Sequence, residues 1–141
     1  MSNKYTLIWS RFNKPVTSKL RDGAIEAFSK RDIKDYNVIE VPGAYELPLA
    51  AKWALEAGAE GVVTVGAVIQ GETAHFDYVC SSVERGCTML QIDYAKPVVF
   101  GVITTNTSEQ AFDRAGGKKG NKGFDAVETL FEMLEIKKNI L

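Results

Sequence analysis

His75, the single histidine, stands just beyond an uncharged run and a glycine turn, in the stretch from Gly66 to Cys80. An imidazole near the start of a helix suits proton transfer near neutral pH, because the helix dipole and burial both favour its neutral form. It equally suits a histidine satisfied in the core or at the surface. Phe12, at a loop tip, can stack on a flat ring or tuck beneath its own helix as a lid on the core. Glu46, just after a glycine, offers a carboxylate to a polar ligand or simply answers a helix macrodipole. Arg114, Lys118, Lys119 and Lys122 crowd around a glycine-rich connection. A guanidinium fork beside glycines that admit a ligand to the backbone can grip a phosphate. Cations at a helix end can also do no more than complement its carboxyl-terminal dipole.

These residues need a scaffold, and hydrophobic periodicity supplies one. Gly61 to Ile69 carries no charge and is rich in valine, which predicts a strand buried on both faces. Phe76, Val79, Cys80, Val83, Cys87 and Leu90 follow at helical spacing and form one inward stripe. The turn Gln70-Gly71-Glu72-Thr73 therefore lies at the carboxyl end of a central parallel strand. Ligands of open α/β sheets bind at that edge, and a helix start there presents N–H groups to an anion.

The remaining elements follow in order. Tyr5 to Trp9 reads as the first strand, with a helix from about Pro15 to Lys30 and a second strand from Asn37 to Val41. Pro42-Gly43 breaks the chain before a helix from about Glu46 to Gly58, with Gly58 as its stop. The histidine helix runs to about Asp93, Val98 to Thr104 is a fourth strand, and Thr107 to Gln110 has the spacing of a capping box opening a short helix to Arg114. Gly116-Gly117 stops that helix, a lysine-rich linker follows, and the last helix turns Val127, Leu130, Phe131 and Leu134 inward. The alternation predicts a single α/β domain over residues 1–141, a doubly wound sheet of four parallel strands, flavodoxin-like in outline. Right-handed crossovers bring the loops after the strands to one side. Both sheet edges need cover, for which a homo-oligomer is the economical means.

With 141 residues, 45% of them hydrophobic and 25% charged, the chain can bury a sizeable core unaided. A net charge of −1 gives no global field for nucleic acid or a membrane surface. Cys80 and Cys87 sit about two helical turns apart, too far for a disulfide, and read as reduced thiols of a cytoplasmic protein. With one histidine they make no zinc set. The start of the chain, from Met1 to Lys4, runs straight into a strand with no secretory signal, and no run spans a bilayer.

Taken together, five segments resemble one family. Ser10 to Asn13, Val41 to Pro48, Gly66 to Tyr78, Pro97 to Gly101, and Arg114 to Gly123 occur in the order and spacing of the lumazine synthases. The resemblance covers nearly the whole chain. It implies condensation of 5-amino-6-(D-ribitylamino)uracil with 3,4-dihydroxy-2-butanone 4-phosphate, late in riboflavin biosynthesis, without metal or organic cofactor. It also implies the site. Phe12 would stack on the pyrimidinedione, with Asn13, Ala44, Tyr45 and Glu46 lining the ribityl pocket and Ala67, Val68 and Ile69 offering backbone groups to the ring. Glu72 and Thr73 would meet the phosphate through main chain, Arg114 and Lys122 would close on it, and His75 would move protons. Phe100 of a neighbouring subunit would cover the ring's other face, since such sites lie between protomers of a pentamer, in some relatives within a sixty-subunit shell. Riboflavin synthase would be a partner.

Two departures from the family pattern stand out. Gln70 replaces a common arginine and Glu72 a small residue, so the expected contribution of Glu72 is its N–H. Many relatives also begin about ten residues earlier with a strand that joins a neighbour's sheet. Two rivals are a catalytically weakened shell or scaffold relative of the same fold, and a flavodoxin-like nucleotide or signalling module that binds as a monomer.

Overall fold

The computed structural model describes residues 3–141; Met1 and Ser2, part of the stretch read as lacking a signal, lie outside the described residues. The elements are β1 (Tyr5–Ser10), α1 (Lys14–Lys30), β2 (Tyr36–Val41), a 3-10 turn (Ala44–Glu46), α2 (Leu47–Glu56), β3 (Gly61–Ile69), α3 (His75–Tyr94), β4 (Val98–Thr105), α4 (Ser108–Asp113), β5 (Ala115–Gly117), β6 (Gly120–Asn121) and α5 (Lys122–Ile140). The four long strands form one parallel sheet in the order β2-β1-β3-β4. This is the expected flavodoxin-like three-layer arrangement.

Residue alternation along the strands feeds two cores. On one face Leu7, Val63 and Val65 meet Leu20, Ala24 and Phe28 of α1 and Val127 and Leu130 of α5. On the other, Ile8, Val62, Val98 and Val102 meet Leu47, Ala51 and Leu55 of α2 and Val83, Cys87 and Leu90 of α3. β3 is paired on both sides and buried almost throughout, as its uncharged sequence predicts. β2 and β4 are the edge strands, and each shows solvent-exposed positions.

Two local differences and one agreement have physical causes. The helix expected from Glu46 begins instead as a 3-10 turn, and α2 proper starts at Leu47, with Pro48 in its first turn, where a missing N–H costs nothing. Gly58 adopts φ 103°, the left-handed conformation that ends the helix as expected. The linker after Gly116 is a small antiparallel hairpin, β5 with β6, made possible by positive φ at Gly116 and Gly120.

Asn121 joins that hairpin to α5 and α1. Its Oδ1 accepts from the Gly123 and Phe124 N–H groups at 2.8 and 3.1 Å, and its Nδ2 donates to the Lys19 carbonyl at 3.0 Å. A Cβ at Gly23 would overlap this side chain. Asn121→Ala loses both the cap and the interhelical tie, and is expected to lower unfolding free energy by about 2 kcal/mol, read from the urea midpoint. Asn121→Asp keeps the cap acceptors and should lose about half as much.

Candidate active site

Three loops converge at the carboxyl end of the sheet. After β1, the Arg11 N–H donates to the Val41 carbonyl (2.9 Å) and the Phe12 N–H to Pro42 (3.0 Å), so this loop is strapped to the end of β2. Phe12 is 69% exposed, with its ring free for a ligand. Asn13 follows in the left-handed region (φ 65°) and donates its amide to the Ala67 carbonyl at 3.2 Å. After β2, the Glu46 carboxylate folds back toward Gly43, where a Cβ would lie 3.2 Å from Oε1. After β3, the Gln70 N–H donates to the Thr105 carbonyl (2.9 Å), and Thr73 Oγ1 accepts from the His75 N–H (3.3 Å).

A cavity of about 530 Å³ opens among these loops. Phe12, Asn13, Ala44, Tyr45, Glu46, Ala67, Val68, Ile69, Thr73 and His75 all line it. Sequence alone did not single out Gly43, Gly71, Phe76, Tyr78 or Val79 as lining residues, although all lie in the quoted motifs or continue them. Phe76 and Val79 read as core positions, and they do pack partly on the α2/α3 core. Glu72 is exposed and does not line the cavity, although Gly71 and Thr73 on either side of it do. His75 is the first residue of α3 and is exposed in the single chain, so the burial attached to it from sequence is not found there.

Phe100, Arg114 and Lys122 line a different groove, of about 660 Å³, along the outer edge of β4 between α3 and α5. Arg114 is half-buried at the end of α4 and donates from one guanidinium nitrogen to the Gln110 carbonyl at 2.9 Å. The Lys122 N–H donates to the Arg114 carbonyl (2.9 Å), which ties the two cations to one corner of the hairpin. One chain therefore does not bring Arg114 and Lys122 into the cavity with Thr73 and His75. Another cavity, of about 820 Å³, lies elsewhere, among Lys4, Gly58, Glu60 and Lys96 near the amino ends of the strands, and no expected site residue lines it.

Neither cysteine is in a disulfide. Burial pushes the Cys87 thiol up to about 11 from the ordinary 9.0, partly offset by a hydrogen bond with Thr64. The unfolded thiol then ionises first as pH rises. Its contribution to stability is whole below about pH 9 and is lost as pH climbs through about 11, a decline of about 3 kcal/mol. Unfolding free energies across that range should fall more steeply for the natural chain than for Cys87→Ala. Among the described residues no group of three or more His, Cys, Asp or Glu side chains is placed to hold a metal, and no helix is long and apolar enough to cross a membrane.

Comparison with known proteins adds an independent line. The family model described as 6,7-dimethyl-8-ribityllumazine synthase matches residues 2–138. Proteins of that name are similar to this chain in three bacteria. The one from Bdellovibrio bacteriovorus is 47% identical over 137 residues, covering 97% of this chain and 76% of that protein. The one from Cytophaga hutchinsonii is 46% identical over 136 residues, covering 94% and 86%. The one from Helicobacter pylori is 44% identical over 138 residues, covering 96% and 88%.

Proposed function

The chain belongs to the 6,7-dimethyl-8-ribityllumazine synthase family, and from that premise we propose how its residues perform the family's reaction. It condenses 5-amino-6-(D-ribitylamino)uracil with 3,4-dihydroxy-2-butanone 4-phosphate, releasing phosphate and water. The reaction needs an amine to add to a ketone, a phosphate to leave by β-elimination and a second nitrogen to close the ring. None of these steps demands a strong nucleophile from the protein. Alignment of the two substrates and movement of protons carry the acceleration.

In this reading the pyrimidinedione lies against Phe12, with its polar edge toward Ala67, Val68 and Ile69. The ribityl chain lies among Asn13, Ala44, Tyr45 and Glu46. The phosphate meets the N–H groups of Glu72 and Thr73 ahead of α3 and is closed over by Arg114 and Lys122. His75 transfers protons, and Phe100 covers the second face of the ring. The last three side chains to close, Phe100, Arg114 and Lys122, come from a neighbouring copy. One observation carries this assignment: the expected residues other than Glu72 divide between two cavities of one chain, the ring-stacking and proton-transfer half in one and the cations with Phe100 in the other. Joining the first cavity of one copy to the groove of the next reunites them.

The assembly that follows is a homopentamer with sites between adjacent protomers, open to further closure into a shell of pentamers. The chain acts as one domain in the cytoplasm and hands its product to riboflavin synthase. The test is direct. The purified chain, given both substrates, should form a fluorescent lumazine and elute as a pentamer or larger particle; a monomer that forms no lumazine would refute the reading.

A further inference from the structure

Asn13 does something unusual for a residue that begins a helix. An asparagine at this position normally turns its oxygen back to a free N–H of the first turn. Here the side chain makes no such cap and reaches across to the Ala67 carbonyl, 54 residues away in sequence. Its backbone is left-handed at φ 65°, a conformation asparagine tolerates better than most residues.

The reason lies in the sheet. The β1–β3 pairing ends at Trp9 with Val65, whereas the β3–β4 pairing continues to Ile69 with Thr105. The end of β3 therefore projects beyond β1 with one backbone edge uncovered. Asn13 occupies the first step of that edge at Ala67, in place of the absent strand. The same loop is strapped to β2 through the Arg11 and Phe12 N–H groups. With β2 holding one side and β3 the other, the position of the Phe12 ring relative to the end of β3 is set.

We propose that Asn13 is a positioning residue for the pyrimidine ring: by bonding Ala67 it fixes the gap between the Phe12 ring and the free edge of β3 in which the heterocycle lies. The inference rests on the proposed function and replaces one part of it: Asn13 acts through Phe12 and β3 instead of lining the ribityl pocket.

Asn13→Gly and Asn13→Asp both accept the left-handed turn, and neither supplies the neutral amide donor. Each should raise KM for 5-amino-6-(D-ribitylamino)uracil about tenfold and leave KM for 3,4-dihydroxy-2-butanone 4-phosphate within about twofold. The decisive probe is 5,6-diaminouracil, which has the ring but no ribityl chain, used as a competitive inhibitor. Its inhibition constant should rise by the same factor as KM. An unchanged constant would mean that Asn13 contacts the ribityl chain, and the proposal fails. It fails also if neither variant changes KM, or if both substrates and kcat suffer alike. A natural chain with no turnover would overturn the proposed function and this inference with it; turnover by the natural chain beside indifferent variants overturns the inference alone.

Discussion

Arg114→Ala should lower kcat/KM for the phosphate-bearing substrate about a hundredfold, mostly through KM, whereas His75→Ala should cost about tenfold and mostly in kcat. One guanidinium nitrogen of Arg114 is engaged by the Gln110 carbonyl, which fixes the head group and leaves the rest of the fork for a phosphate. A charge-assisted pair of hydrogen bonds to a dianion is worth more than a neutral contact, and an uncompensated phosphate in a closed site would be penalised again. Arg114→Lys keeps the charge without the fork and should fall between. The smaller effect at His75 follows from its exposure in the chain and from the chemistry, in which water can carry part of the proton traffic. Steady-state rates for the three variants check the order; equal and negligible losses would count against both assignments.

The second large effect is a rescue. Chains carrying Phe12→Ala with His75→Ala, and chains carrying Arg114→Ala with Lys122→Ala, should each be nearly inactive alone. Coexpressed and randomly mixed, they should recover about a quarter of the natural activity, because about one interface in four joins an intact cavity to an intact groove. The physical basis is that the two sets line separate surfaces of one chain. In the proposed assembly each complete site draws on two chains, so one unaltered half can come from each variant. If the whole site belonged to one chain, no mixture would recover anything.

How much of this was readable beforehand depended on the kind of signal. β3 was legible to the residue, because a strand paired on both sides and packed on both faces excludes charge along its length. The capping box at Thr107 and Gln110 was equally plain, since two reciprocal bonds require that spacing, and both are present. The β5–β6 hairpin was not legible: its strands are three and two residues long, and glycine conformations rather than apolar alternation create it. The Phe12-to-His75 cavity could be assembled from strand order alone, because each residue follows a strand end on the same edge. Arg114 and Lys122 gave a chemical signal with no address. Their charge matched a phosphate, but only the path of α4 and the hairpin puts them along the outer side of β4 beside Phe100. The Asn13–Ala67 bond was hidden for a related reason: it depends on β3 outrunning β1, a matter of relative strand length that no local motif encodes.

The proposed pairing of one copy's cavity with the next copy's groove also has an arithmetic consequence. A patch that matches itself stops growing at two copies, but a cavity that receives a different groove leaves one cavity and one groove unmet at the ends of any open chain. Such a chain holds one fewer finished site than it has members, and only a closed circle employs them all. Turnover per subunit thus becomes a gauge of circularisation, rising with protein concentration until the last gap is sealed.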